Sequence, residues 1–210
     1  MKSTISKFAA VLGVTTVTLF NAQAVLLSPG SSIALPLEPG PIGGTLLASL
    51  SLPFTAPTFS GTLISKVWSG DTSNPFGGLT FTYEISNDTI SPDPIDRFTL
   101  SSYAGFFTDA SYAGGSILSA VVPTSVVRNP TGNQISFNFT GPFEGTLIQG
   151  ASSPLLVIQT SSANYQNSVA GIINSSTANV ATFAPLAVPE PASAALVVLG
   201  AVALALRRKP

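Results

Sequence analysis

Thirty of the 164 residues from Val25 to Val188 are Pro or Gly, 14 and 16 respectively. Breakers at that density interrupt helical hydrogen bonding and supply turns, so long helices are excluded from the body of the chain. What lies between the breakers alternates with period two. Leu79, Phe81, Tyr83 and Ile85 take one face of a strand, and Thr80, Thr82, Glu84 and Ser86 take the other. Ile135, Phe137 and Phe139 repeat the pattern against Ser136, Asn138 and Thr140. Leu46, Ala48, Leu50 and Leu52 oppose Leu47, Ser49 and Ser51, while Phe59, Leu63 and Val67 share one side of a run broken by Gly61. Phe98 and Leu100 alternate with Arg97, Thr99 and Ser101. Leu155–Thr160 is a continuous apolar run suited to a central strand, and residues 117–122 and 179–183 complete a set of about eight. The spacing predicts a single antiparallel β-sandwich, jelly-roll-like in closure.

Composition narrows the chemistry. The chain has no His and no Cys, which removes Ser-His-Asp and Cys-His catalysis, disulfides, and zinc sites built on those ligands. Charged residues are only 8% of the chain, yet 13 Phe argue for a packed core rather than disorder. Lys66, Arg97 and Arg128 are the only cations between Val25 and Val188. Three separated cations draw no basic stripe, so nucleic acid is excluded as a partner. No cofactor is expected.

The two ends read as targeting segments. Lys2 and Lys7 precede an uncharged run, residues 8–20, which ends in Asn21-Ala22-Gln23-Ala24. A positive start, a short apolar middle and a small-x-small exit define a secretory signal peptide. Its 13 residues, apolar apart from three Thr and Gly13, fall short of the roughly 17–25 that a membrane span needs. Residues 1–24 are therefore the expected leader. Ala22 and Ala24 fit the signal peptidase pockets, and Val25 becomes the new N-terminus.

At the other end, Val188-Pro189-Glu190-Pro191 precedes 15 apolar or small residues, 192–206, and Arg207, Arg208 and Lys209 follow. A helix of that length rises about 22 Å against a hydrocarbon core of about 30 Å, a short transmembrane helix at best. The cations should stay cytoplasmic and stop full secretion, with the body outside.

Residues 188–210 resemble the PEP-CTERM sorting signal of bacterial envelope proteins. Pro189, Glu190 and Pro191, the apolar run and the basic end carry the resemblance in the family's order and spacing. The resemblance implies that exosortase, a membrane-embedded cysteine peptidase, reads the Pro-Glu-Pro motif and removes the tail during export. The motif is then a substrate for another protein and no part of an active site. The expected route is an inner-membrane intermediate followed by the cell surface, outer envelope or extracellular matrix.

The body, residues 25–187, is similar to an exported domain carried in front of the same tail. The matching pieces are Ile95–Thr99, Thr108–Tyr112, Arg128–Gly132 with Phe137–Phe139, Ser153–Thr160 with Tyr165, and Val180–Pro185. This resemblance implies a β-sandwich and no defined activity.

Few side chains in the body suggest chemistry. Asp88, Asp93 and Asp96 offer three carboxylates on one Pro-containing stretch, the donor type that calcium takes. The spacing matches no EF-hand loop, so a solvated loop is the expectation and calcium the alternative. Glu84 and Glu144 follow the two clearest strands, where an acid pair for glycoside hydrolysis would need to converge on a cleft. Surface acids explain both, and no enzyme is expected. Trp68, Tyr103 and Tyr112 are candidates for stacking on sugar rings, with a place in the core as the competing explanation. The leading expectation is a structural surface or matrix protein associated with exopolysaccharide. The alternative is a carbohydrate-binding module of the envelope, and a glycan-active enzyme comes last.

Overall fold

The computed structural model describes residues 25–114, 120–140 and 146–187. The leader (1–24), the sorting segment (188–210), Ile117–Ser119 of one expected strand, and Glu144 lie outside them. Among the described residues there is no helix, and none long and apolar enough to cross a membrane.

Eleven strands form two antiparallel sheets. They are β1 (Ser32–Ile33), β2 (Thr45–Thr55), β3 (Ser60–Ser69), β4 (Thr80–Asn87), β5 (Arg97–Leu100) and β6 (Thr108–Ala113), then β7 (Ser125–Arg128), β8 (Ile135–Asn138), β9 (Leu155–Thr160), β10 (Tyr165–Ile173) and β11 (Thr177–Pro185). One sheet has the order β2-β3-β4-β9-β6, and the other β1-β7-β8-β5-β10-β11. The expected runs become β2, β3, β4, β5, β8, β9 and β11. Residues 120–122 carry no strand: Val121 makes a single backbone bond, to Ser152 O at 2.9 Å, and Pro123 follows with no N–H to donate. The alternation did not reveal β1, β6, β7 and β10. β1 and β7 are very short, β6 is built of small and polar residues buried on both faces, and β10 mixes polar residues with Gly171.

The alternating residues supply the core. Phe81, Tyr83 and Ile85 from β4 meet Phe98 and Leu100 from β5 and Ile135 and Phe137 from β8, all essentially without solvent contact. Tyr83 meets Phe98 edge to face at 5.4 Å, and Phe98 stacks on Phe137 at 6.1 Å. β9 is buried along nearly its whole length between β4 and β6, as the apolar run Leu155–Ile158 requires, and its polar end, Gln159 and Thr160, is buried with side-chain hydrogen bonds. In β2 the expected inward set is Ala48, Leu50 and Leu52 only. A bulge between Leu46 and Ala48 flips the phase, so Leu46 pairs with Trp68 and is exposed.

Two features fix how the layers meet. Gly61 opposes Phe54 on β2 and Asn87 on β4. A Cβ there would run into Ser86 O and stand 2.6 Å from the Phe54 ring. Arg128, at the end of β7, is buried and bonds only backbone carbonyls. Nε donates to Gly132 O (3.0 Å), Nη1 to Leu27 O (2.9 Å), and Nη2 to Tyr103 O (2.7 Å) and Phe106 O (2.9 Å). It ties the first described segment and the β5–β6 loop to β7.

Gly61→Ala is expected to lower stability by about 1–3 kcal/mol through overpacking, read as a fall in the urea midpoint. Arg128→Met should cost on the order of 3 kcal/mol, since it strands several buried carbonyls. Arg128→Lys should rescue only part of that loss, because one ammonium cannot reach all four carbonyls; thermal melts of the three proteins check both statements.

Candidate functional site

Cross-strand register decides which side chains share a face. Tyr83, Leu156 and Tyr112 are aligned across β4, β9 and β6, and Tyr83 is core, so Tyr112 points inward. Trp68, Thr80, Gln159 and Asp109 are aligned across β3, β4, β9 and β6 and point to the outer face of the same sheet.

The three aromatic candidates therefore form no common platform. Tyr103 is completely buried, its hydroxyl 2.9 Å from that of Tyr83, and burial pushes its phenol well above the usual value. This corrects its assignment as a stacking ring: no face of it reaches solvent. Trp68 is half-buried on the outer face and donates its indole N–H to Thr82 Oγ1 at 3.1 Å. Tyr112 is half-buried on the opposite face and lines a groove of about 560 Å³ with Leu35, Val121 and Pro123.

Asp88, Asp93 and Asp96 do not gather into a group that could hold a metal ion. Asp88 Oδ2 accepts from Ser60 Oγ at 2.6 Å, while Asp93 Oδ2 accepts from Ser175 Oγ at 3.2 Å. Burial pushes the Asp96 carboxyl up, with Arg97 pulling it down and Asp93 adding to the rise. The stretch pins β3 and the β10–β11 turn. Glu84 is half-buried on β4 and pairs with Ile64 on the outward face.

Sequence reasoning did not single out the outer face of the five-stranded sheet, where buried polar groups are concentrated. Gly40 passes against Ala113 and Leu155, and Ile42 N donates to Asp71 Oδ1 at 2.9 Å, so residues 38–44 cross above β6 and β9 toward the loop after β3. Beneath this roof Asp71 is fully served. Oδ1 also accepts from Ser73 N (2.9 Å) and Ser73 Oγ (2.6 Å), and Oδ2 from Thr80 Oγ1 (2.7 Å) and Gln159 Nε2 (3.3 Å). Burial raises its carboxyl, but the bonds from Ser73, Ile42 and Thr80 outweigh that and hold it below the ordinary value.

Asp109 is the opposite case. It is 1% exposed, and neither carboxylate oxygen has a well-aligned hydrogen-bond donor among the described residues, although Glu38 and the Ala110 and Val25 amides lie close; Glu38, 8% exposed, leaves Oε1 unpartnered as well. Burial, and then the charge and hydrogen bonding of Glu38, push the Asp109 carboxyl up to about 7, against the pull of the Ala110 and Val25 backbone amides. No residue-level pattern announces this pair, because the two acids are 71 positions apart and only the roof brings them together.

In the uncleaved chain the folded state keeps a proton on Asp109 that the unfolded state has released. Stability should therefore fall as pH rises from about 4 to about 7 and level off above. Asp109→Asn should flatten that window, as chemical denaturation across the pH series checks. Asp71 acts in the other sense, its contribution being lost only as pH falls below the usual carboxylate range.

The comparisons concern the end of the chain. The family model described as the PEP-CTERM protein-sorting motif matches residues 187–209. No curated protein and no solved structure shows significant similarity to the chain. β11, an edge strand, ends at Pro185, and Leu186 N still bonds Asn164 O at 3.0 Å, so the matched segment starts directly at the margin of the sandwich. The described body is all-β, and the chain carries a C-terminal PEP-CTERM protein-sorting motif, the mark of an exported exosortase substrate.

Proposed function

We propose that this protein is a structural component of the bacterial surface or extracellular matrix, associated with exopolysaccharide and without enzymatic activity. Signal peptidase removes residues 1–24 after Ala24. The span 192–206 then holds the intermediate in the inner membrane, with Arg207, Arg208 and Lys209 on the cytoplasmic side. Exosortase cuts near Pro189-Glu190-Pro191 and frees a jelly-roll-like sandwich for the surface.

The observation that carries this reading is the sorting motif abutting the folded body. Residues 186–188 alone separate β11 from Pro189, at most about 10 Å of extended chain. The peptidase would meet its motif beside a finished sandwich, which suits release of a folded domain. The missing His and Cys and the scatter of Asp88, Asp93 and Asp96 favour a structural role over catalysis. The separation of Trp68 and Tyr112 onto opposite faces disfavours a stacked-ring sugar site.

Replacing Pro189, Glu190 and Pro191 by Ala should leave insertion intact, since the span is untouched, and abolish processing. A slightly larger form should accumulate in the membrane fraction on an immunoblot of membrane and surface fractions, with and without exosortase. A full-length tail on the wild-type surface protein of exosortase-containing cells would show an ordinary tail anchor instead.

A further inference from the structure

Asp109 and Glu38 are two buried acids with no cation. Arg128 is spent on four carbonyls, one of them Leu27 O. Arg97 bonds Asn138 on the other sheet at 2.9 Å, and Lys66 stands half-exposed on β3. Asp71, the remaining acid beneath the roof, is saturated by its own donors. No side chain in the described body neutralises the pair. Buried carboxylate oxygens without partners are costly, and native chains seldom keep them without a ligand to bind.

The place where a cation would enter is occupied by the chain itself. Leu26 bridges Asp109 on β6, and Leu27 N donates to Thr108 O at 2.8 Å, which fixes the segment against that strand. The next residue back is Val25, whose backbone N–H is one of the two amides that favour the ionised form of Asp109. On the far side, Glu38 is held by its own N–H, which donates to Tyr112 O at 2.9 Å. Asp109, with Glu38 beside it, thus lies against the backbone nitrogen of Val25, the residue on which signal peptidase would act. Hydrolysis of the Ala24–Val25 bond consumes one water. The C–N bond breaks, the water oxygen joins the Ala24 carbonyl carbon to give a carboxylate, and both water protons pass to the Val25 nitrogen, which becomes an α-ammonium.

We propose that Glu38 and Asp109 form a built-in binding site for the α-ammonium of Val25, so that removal of the leader completes the fold. This rests on cleavage after Ala24 as read above. Before cleavage the pair accommodates burial by keeping a proton. After cleavage an ammonium with three donors serves oxygens that a single amide leaves unmet. The first described segment is then clamped at the margin of β6 from both sides, by Arg128 on Leu27 O and by the acid pair on Val25. The recognition is N-terminal amine capture, made within one chain.

The test uses full-length protein expressed in a cell that exports it. N-terminal sequencing of the processed form comes first, followed by reductive dimethylation with formaldehyde at pH 7. Mass spectrometry of the N-terminal peptide reads the rate, in folded protein and in urea. An opposite charge raises the amine's pKa by a unit or more, and each unit lowers the reactive free amine about tenfold. The Val25 amine should react at least about tenfold more slowly folded than unfolded, and Asp109→Asn should remove most of that protection while the protein stays folded by circular dichroism. Equal rates in folded and unfolded wild type overturn capture while leaving the cleavage reading in place. Protection that survives Asp109→Asn shows steric shielding and overturns it too. A start at any other residue overturns the cleavage reading, and the proposal falls with it. The folded–unfolded comparison needs no variant, so the proposal stays testable even where Asp109→Asn unfolds the chain.

Discussion

The hydroxyl of Tyr83 ties the two sheets together through a hydrogen bond in the middle of the core. It sits on β4 in the middle of the aromatic core, 2.9 Å from Tyr103 Oη, and donates to Phe183 O on β11 at 2.9 Å. A bond across the gap between sheets fixes their relative position, which apolar contact alone leaves free to slide. The rings around it follow from that position: Phe98 edge-on to Tyr83, Phe81 edge-on to Tyr103, and Tyr165 edge-on to Phe183. Burial, with the neighbouring Tyr103 adding to it, pushes the Tyr83 phenol well above its usual value.

The five-stranded sheet is covered twice, and the two coverings differ in kind. Its inner face is apolar. Its outer face is roofed by the chain preceding β2 and by the loop after β3, and polar groups are buried there: Thr80, Thr82, Asp71, Gln159, Ser111 and Asp109. A roof built from irregular backbone brings donors with it, and at Asp71 they saturate the carboxylate. At Asp109 the roof brings Glu38 instead, a second acid, and the balance reverses. The same device satisfies one carboxylate and leaves the other in want of a positive charge. The leader junction at Val25 is where that charge would arise.

The sorting segment sits at the opposite end of the chain but is related to the same architecture. β11 is an edge strand and closes one side of the sandwich by packing against β2. Pro189 lies beyond the described residues, while the proposed cleavage point at Val25 lies beside a buried acid pair. The C-terminal segment carries the sorting motif, and the proposed leader junction at Val25 lies next to β6.

The sequence by itself determined the class of the fold and its address. Period-two alternation in β4 and β8 placed Phe81, Tyr83, Ile85, Ile135 and Phe137 inward, because a strand has no other way to bury every second residue. The Pro-Glu-Pro motif, its apolar run and its basic end are linear signals read by other proteins, and so they were legible without coordinates. Tertiary structure alone decided what depends on register and long-range approach. A one-residue bulge turned Leu46 outward. Tyr103, in a loop with no periodicity, went into the core. Trp68 and Tyr112 were sent to opposite faces of one sheet. Asp109 and Glu38 met because residues 38–44 fold back over β6, a contact that no local pattern encodes, since burial of a polar group is set by what the rest of the chain lays on top of it.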